Sequence, residues 1–387
     1  MFLVVGLFSE IWFRFRNHDF HSLKVAKSEK NLGENWYLFE DSEQMARHPA
    51  YSRPGLVGRD FYDELQLVFK TVAYASPLEV PDVVGDYFNI VNGERVTTFI
   101  EEKIVKDVEH WILIGGSTTL CLEVPDSMTW ASCMQRIADQ SSNRPIQVHN
   151  FGRAGLKSVK INAFFPLFLS RYTSLTRIIV YFGVNDAGWI AGSRPSSRLT
   201  YLFDIALDSL STVSKLVAFL NLRLRSRRVC KASTEYAKKT LRKFSEYTTY
   251  FETKQIKIEF ILQPNVFCKF RPSNLELDLI KSAEPLRIAG IYAAYDTYLS
   301  CGDGLIKSAI DLFSEIDETV YIDWCHVGVA GNELIAKRIW NLTNQCLGSD
   351  VKTTNALHVM KNYRDTALRS RNIFKNKDES AYNYPLY

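Results

Sequence analysis

The chain has 387 residues, 46% hydrophobic and 23% charged, with a formal net charge of +4. That balance fits a globular protein with a substantial core, excludes global disorder, and gives a specific nucleic-acid partner little electrostatic support. Seven dispersed cysteines, odd in number and with no CxxC pair, exclude a disulfide scaffold or a zinc cluster as the organising element.

The chain opens on an apolar run, MFLVVGLF, that is too short to span a bilayer. No basic segment leads it and no small-residue cleavage site follows it. It reads as a buried helix end or as an interfacial anchor making peripheral membrane contact. The compartment therefore stays open between the cytoplasm and a membrane or envelope surface. Residues 20 to about 105 mix polar stretches with turn signals such as YSRPGLVG and VNGE, and ERVTTFI has the pattern of a short strand. Residues 1–105 are expected to form an irregular N-terminal extension on a core spanning 106–345.

From residue 110 the pattern becomes regular. WILIGG (111–116), PIQVHNFG (145–152), RIIVYFGVND (177–186), IKIEFILQPN (256–265) and TVYIDW (319–324) are short apolar runs. A helix is expected near 128–139, between the first two. Such runs alternating with helical connections predict a parallel sheet covered on both faces, with ligands bound beyond the carboxyl ends of its strands. Each run ends there in polar residues or glycine. Two long crossovers interrupt the pattern. One, 187–255, carries an apolar helical stretch (202–222) and then a basic one (223–244), readable as a solvated helix face or as a surface for a polyanion. The other, 266–318, is placed to form a rim over the same edge. Residues 346–387 lose apolar periodicity and are expected to be a loosely ordered tail.

Four blocks carry chemistry. Ser117 follows a strand and two glycines, where its hydroxyl can leave the sheet edge while its N–H faces an incoming oxyanion; it could equally cap a helix. Gly152-Arg-Ala-Gly155 permits a tight turn in which Gly155 presents an N–H. Asn185 offers a side-chain amide at the same edge, and Asp186 beside it reads as a cap. Asp323-Trp-Cys-His326 supplies an imidazole base and an acceptor to orient it, the pair a serine hydroxyl needs to become a nucleophile. Cys325 reads as packing, because metal ligation would need further ligands that the neighbouring sequence does not display.

In order and approximate spacing, these blocks resemble those of the SGNH/GDSL hydrolase superfamily, with Gly115-Gly116-Ser117 where Gly-Asp-Ser is usual. The resemblance covers about 110–342. It implies a three-layer α/β/α, flavodoxin-like fold with five parallel strands, carrying the N-terminal extension and long insertions outside it. It also implies a Ser117–His326–Asp323 triad, an oxyanion hole of Ser117, Gly155 and Asn185, and no cofactor or metal. The implied activity is hydrolysis of an acyl ester, such as an acetyl ester on a carbohydrate or small molecule. Transfer of the acyl group to an alcohol, and a non-catalytic binding protein on the same scaffold, are the alternatives.

Overall fold

The computed structural model describes residues 42–51, 58–72, 80–97, 108–142, 144–187, 207, 215–344 and 351–369. The N-terminal apolar run and most of the apolar stretch expected at 202–222 lie outside the described residues. The chain divides into two compact units, one of Met1–Leu38, Gly192–Arg225 and Arg369–Tyr387, the other of Phe39–Ala191 and Ser226–Leu368. The second unit holds the sheet and the candidate site.

Two N-terminal helices, α1 (Ser42–Arg47) and α2 (Arg59–Val72), precede a short hairpin of β1 (Ile90–Val91) and β2 (Glu94–Arg95). Next come β3 (Glu109–Gly115), the single turn α3 (Ser117–Leu120), α4 (Trp130–Ser141), β4 (Ile146–Gly152), α5 (Phe165–Arg171) and β5 (Leu175–Phe182). The long helix α6 (Lys215–Glu252) leads to β6 (Lys257–Leu262), α7 (Asn274–Ser282), α8 (Pro285–Cys301), β7 (Ile306–Ser308), α9 (Val329–Asn344) and α10 (Val351–Arg369).

The seven strands form one sheet in the order β1-β2-β4-β3-β5-β6-β7. From β4 to β7 all pairings are parallel. Numbered along the chain, those five strands run 2-1-3-4-5, the flavodoxin-like order, whose topological switch point lies between the first and third. In this chain that point falls between β3 and β5, the strands that precede Ser117 and Asn185. The β1–β2 hairpin adds an antiparallel edge through Arg95 opposite Asn150.

Alternation along the strands sends side chains to two helical layers. Trp111 stacks on Trp340 of α9, and Tyr181 packs against Trp130 of α4. On the other face Phe260 stacks on Phe244 of α6, and Phe182 meets Tyr298 of α8. Ile112, Leu113 and Ile114 are fully buried between the layers, each contributing roughly 1.5–3 kcal/mol of transfer free energy.

Four of the five expected strands coincide with β3, β4, β5 and β6 to within a few residues. The fifth does not. Residues 319–324 form no ladder strand, and β7 at Ile306–Ser308 completes the parallel set. The reason lies in one carboxylate. Glu276 Oε1 accepts the N–H groups of Val320 (3.0 Å) and Tyr321 (3.2 Å), so these two donors are satisfied on a side chain rather than on a neighbouring strand. Within the expected loosely ordered tail, 351–369 form α10, whose Ala356 and Met360 are buried and whose Tyr363 and Ala367 pack on the core. The expected extension is partly built into the sheet through β1 and β2. From Ser226 onward the basic stretch forms an exposed helix face: Arg227, Lys231, Lys238, Lys239 and Arg242 are exposed while Ala237, Leu241 and Phe244 are buried. Among the described residues no helix is long and apolar enough to cross a membrane.

Candidate active site

The Ser117 turn is shaped by what the glycines around it admit. A Cβ on Gly115 would stand 2.3 Å from Thr119 Oγ1 and 2.4 Å from Tyr181 O, and one on Gly152 would strike the Leu120 backbone at 2.1 Å. Both close approaches seat the α3 turn on the ends of β3 and β4. Asn150, wholly buried, fastens it: Nδ2 donates to Thr119 O (2.9 Å), and Oδ1 accepts the Gly152 N–H (2.9 Å). Thr118 Oγ1 adds a bond to Gln263 Oε1 (3.1 Å) at the end of β6.

Ser117 Oγ lies 2.8 Å from His326 Nε2, and His326 Nδ1 lies 2.7 Å from Asp323 Oδ2. The other Asp323 oxygen, Oδ1, accepts the N–H groups of Cys325 and His326, each at 2.7 Å. One carboxylate therefore fixes both the ring and the backbone that carries it. Burial alone would raise the Asp323 carboxyl, but the His326 ring and these N–H groups overcome it and hold it below its ordinary value. Burial works to lower His326, yet Asp323, Cys325 and Glu123 outweigh it and lift the ring well above an ordinary histidine. Cys325 is buried, its thiol pushed up to about 12, in keeping with a packing role. The ring thus turns Nδ1 to Asp323 and Nε2 to Ser117.

Of the residues expected as oxyanion donors, Asn185 links the turn of Ser117 to the loop of Gly155. Gly155 is exposed, with φ at +67° and no atom near its Cβ position. Asn185 Nδ2 donates to Leu156 O at 3.2 Å, immediately after Gly155, and lies 2.1 Å from where a Cβ on Gly116 would be. Glycine at 116 thus leaves the space that the Asn185 amide fills beside Ser117. Asp186, expected as a cap, does more. Its buried Oδ1 accepts the Ser158 N–H (3.0 Å), Ser158 Oγ (2.9 Å) and Tyr236 OH (3.2 Å), anchoring the far end of the Gly155 loop. Burial raises the Asp186 carboxyl despite those donors.

Two residues at the site carry no motif signal. Glu123 brings Oε1 to 3.4 Å from His326 Nε2. Arg95, fully buried, donates to Leu120 O, Cys121 O and Val124 O and pairs with Asp126 at 2.8 Å, holding the loop that carries Glu123. A basic residue in a polar N-terminal segment gives no sign of this, since its partners are main-chain carbonyls about 25 residues away.

No family model matches the chain, and no curated protein matches it by sequence. Among solved structures the chain is similar to an acetyl xylan esterase (13% identity over 60% of this chain and 98% of that one, TM-score 0.35). It is similar also to a carbohydrate acetylesterase from Sinorhizobium meliloti (15% over 60% and 99%, TM-score 0.36). A third likeness is to a member of the lipolytic protein G-D-S-L family from Veillonella parvula (15% over 61% and 100%, TM-score 0.35). Likenesses this slight fix neither activity nor substrate; the fold stands on the strand order itself.

Proposed function

We propose that the chain is a serine ester hydrolase of the SGNH/GDSL type, acting through Ser117, His326 and Asp323. The observation that carries this reading is the continuous hydrogen-bonded relay from Ser117 Oγ through the imidazole to Asp323, built from residues 209 positions apart and set at the switch point of the sheet. In the proposed reaction His326 Nε2 takes the Ser117 proton as Oγ bonds to the ester carbonyl carbon, and the carbonyl electron pair moves onto oxygen. The N–H groups of Ser117 and Gly155 and the Asn185 amide receive that oxyanion. Collapse of the intermediate breaks the C–O bond, and the His326 proton passes to the leaving alcohol. Water then repeats the sequence on the acyl-enzyme.

An acetyl ester on a carbohydrate is the substrate class we propose, on the strength of the GGST-type nucleophile block that the sequence shares with carbohydrate-acting branches of the family. The test is labelling by a fluorophosphonate probe and turnover of p-nitrophenyl acetate, each compared with Ser117→Ala, followed by acetylated xylo-oligosaccharides with and without an added acceptor alcohol. Labelling and turnover that vanish with Ser117 are expected. A well-folded wild type that neither labels nor turns over would point instead to a binding protein, and acetyl appearing on the acceptor rather than in water would mark a transferase.

A further inference from the structure

His326 Nε2 faces two groups. Ser117 Oγ stands 2.8 Å away and Glu123 Oε1 3.4 Å away. Exposed ion pairs of this kind contribute little, but the side chains of Glu123 and His326 are only 12% and 11% exposed. Nor is the carboxylate free to withdraw. Cys121 turns the chain in the left-handed region (φ 54°), and Arg95 grips the carbonyls on both sides of Glu123, at Leu120 (2.5 Å), Cys121 and Val124 (2.6 Å). Ser117 Oγ takes the hydrogen-bonding direction of Nε2, so Glu123 acts on the ring by charge, and a proton that it favours on Nε2 removes the lone pair Ser117 needs.

We propose that Glu123 sets the charge of His326: its carboxylate, close to Nε2 and largely shielded from solvent, favours the imidazolium, which is unable to activate Ser117 until its Nε2 proton leaves. Glu123 is then a positioning residue that acts through the histidine and gives the site an acid-side gate. Loss of the Nε2 proton to solvent leaves Nδ1–H on Asp323 and a lone pair on Nε2 toward Ser117. When the ring later accepts the serine proton during acyl transfer, Glu123 faces the new positive charge and, with Asp323, stabilises it. The other ionisable groups facing the pair do not replace it in this role. Arg95 is committed to Asp126 and the loop carbonyls, burial pushes the Cys121 thiol up, and the Cys325 thiol sits at about 12. Burial pushes the Glu123 carboxyl up, with Asp323 adding to it and His326 and Arg95 opposing it. Glu123 and His326 therefore titrate together, with apparent values that belong to the pair.

The kinetic consequence rests on the ester-hydrolase reading; the effect of Glu123 on the ring charge does not. Ring-nitrogen NMR of 15N-histidine-labelled protein, with His326→Ala to assign the signal, reads the His326 titration directly in wild type and in Glu123→Gln. In the variant we expect that titration to fall by about one pH unit or more. The acid limb of fluorophosphonate labelling should move down with it, and the labelling rate above the limb should drop several-fold. A purely structural role would leave both titration and limb in place. An unmoved His326 titration in folded Glu123→Gln overturns the proposal. If the glutamine variant does not fold, Glu123→Asp serves in its place, keeping the charge but drawing it back by one methylene: a partial fall is expected, and none overturns the proposal. If wild type neither labels nor hydrolyses any ester, the hydrolase reading fails while the NMR titration still decides the role of Glu123.

Discussion

The serine side and the histidine side of the site are built by different physics. Ser117 is placed by backbone: parallel register sets Gly115 opposite Gly152 and Tyr181, and three strand ends converge on one turn. His326 lies on a segment outside the ladder, held by side chains as well as by a few local main-chain bonds. Glu276 receives the N–H groups of Val320 and Tyr321 while forming a wholly buried pair with Lys269 at 2.6 Å. The segment closes on itself through the Tyr321–Val327 bridge, and Gly328 passes so near Ala50 that a Cβ there would meet Ala50 O at 1.8 Å. Ser117 is therefore as firm as the sheet. The His326 segment is only as firm as a few buried polar contacts and one close backbone approach to the N-terminal segment.

The largest expected effect isolates the histidine side. Asp323→Asn keeps the shape but removes the acceptor that fixes the ring, and kcat for ester turnover should fall by about 10⁴-fold. It also carries a sign. Because the folded Asp323 carboxyl is depressed, its contribution to stability is complete above its unfolded value of about 3.9 and is lost as pH falls through the lower folded value. Denaturant unfolding of Asp323→Asn should therefore show a shallower loss of stability below about pH 4 than wild type. Next comes Glu276→Gln. Leaving Lys269 buried without its counter-charge should cost about 3–5 kcal/mol in urea unfolding. Hydrogen exchange at Val320 and Tyr321 should rise more than at β3, whose amides are held by the sheet. Equal loosening of both would erase the distinction between the two sides.

On the serine side, Gly116→Ala should leave the fold nearly intact, because the atom met at 2.1 Å is the end of the Asn185 side chain rather than backbone. Its expense falls on catalysis. Swinging that amide aside removes one oxyanion donor, worth about 10²–10³ in kcat, and adding Asn185→Ala to Gly116→Ala should cost little more. Additive losses would mean that the two residues act separately.

Much of this was legible in the sequence, and what was hidden shares one cause. The strands behind Ser117, Gly155 and Asn185 announce themselves as apolar runs because both faces of a parallel sheet are buried. TVYIDW has the same composition for a different reason: it is buried, but two of its donors, Val320 and Tyr321, end on Glu276, and composition does not reveal where a donor goes. β7 is the converse, three half-buried residues with no apolar run to mark them. Glu123 and Arg95 belong to this hidden class too, since each acts across the fold on a partner that spacing does not reveal. The tail helix was legible in principle: Ala356, Met360, Tyr363 and Ala367 recur at helical spacing, but in a stretch too polar to draw notice.

The smallest effect bears on how the two sides meet. Gly155 sits at φ +67° in open space, so Gly155→Ala meets no atom and is opposed only by the left-handed backbone. That conformation costs a residue with a Cβ about 1–2 kcal/mol. The Gly155 loop is tied at Ser158 to buried Asp186 and at Leu156 to the Asn185 amide. Two outcomes then separate cleanly. If those ties hold the loop, the strain stays local: the melting temperature falls by a few degrees and kcat changes little, because the 155 N–H keeps its aim. If the loop relaxes instead, melting barely moves while kcat drops by about the worth of one oxyanion donor. The anchoring by Asp186 leads us to expect the first, and finding the second would show that the Gly155 loop, unlike the α3 turn, is not as firm as the sheet it leaves.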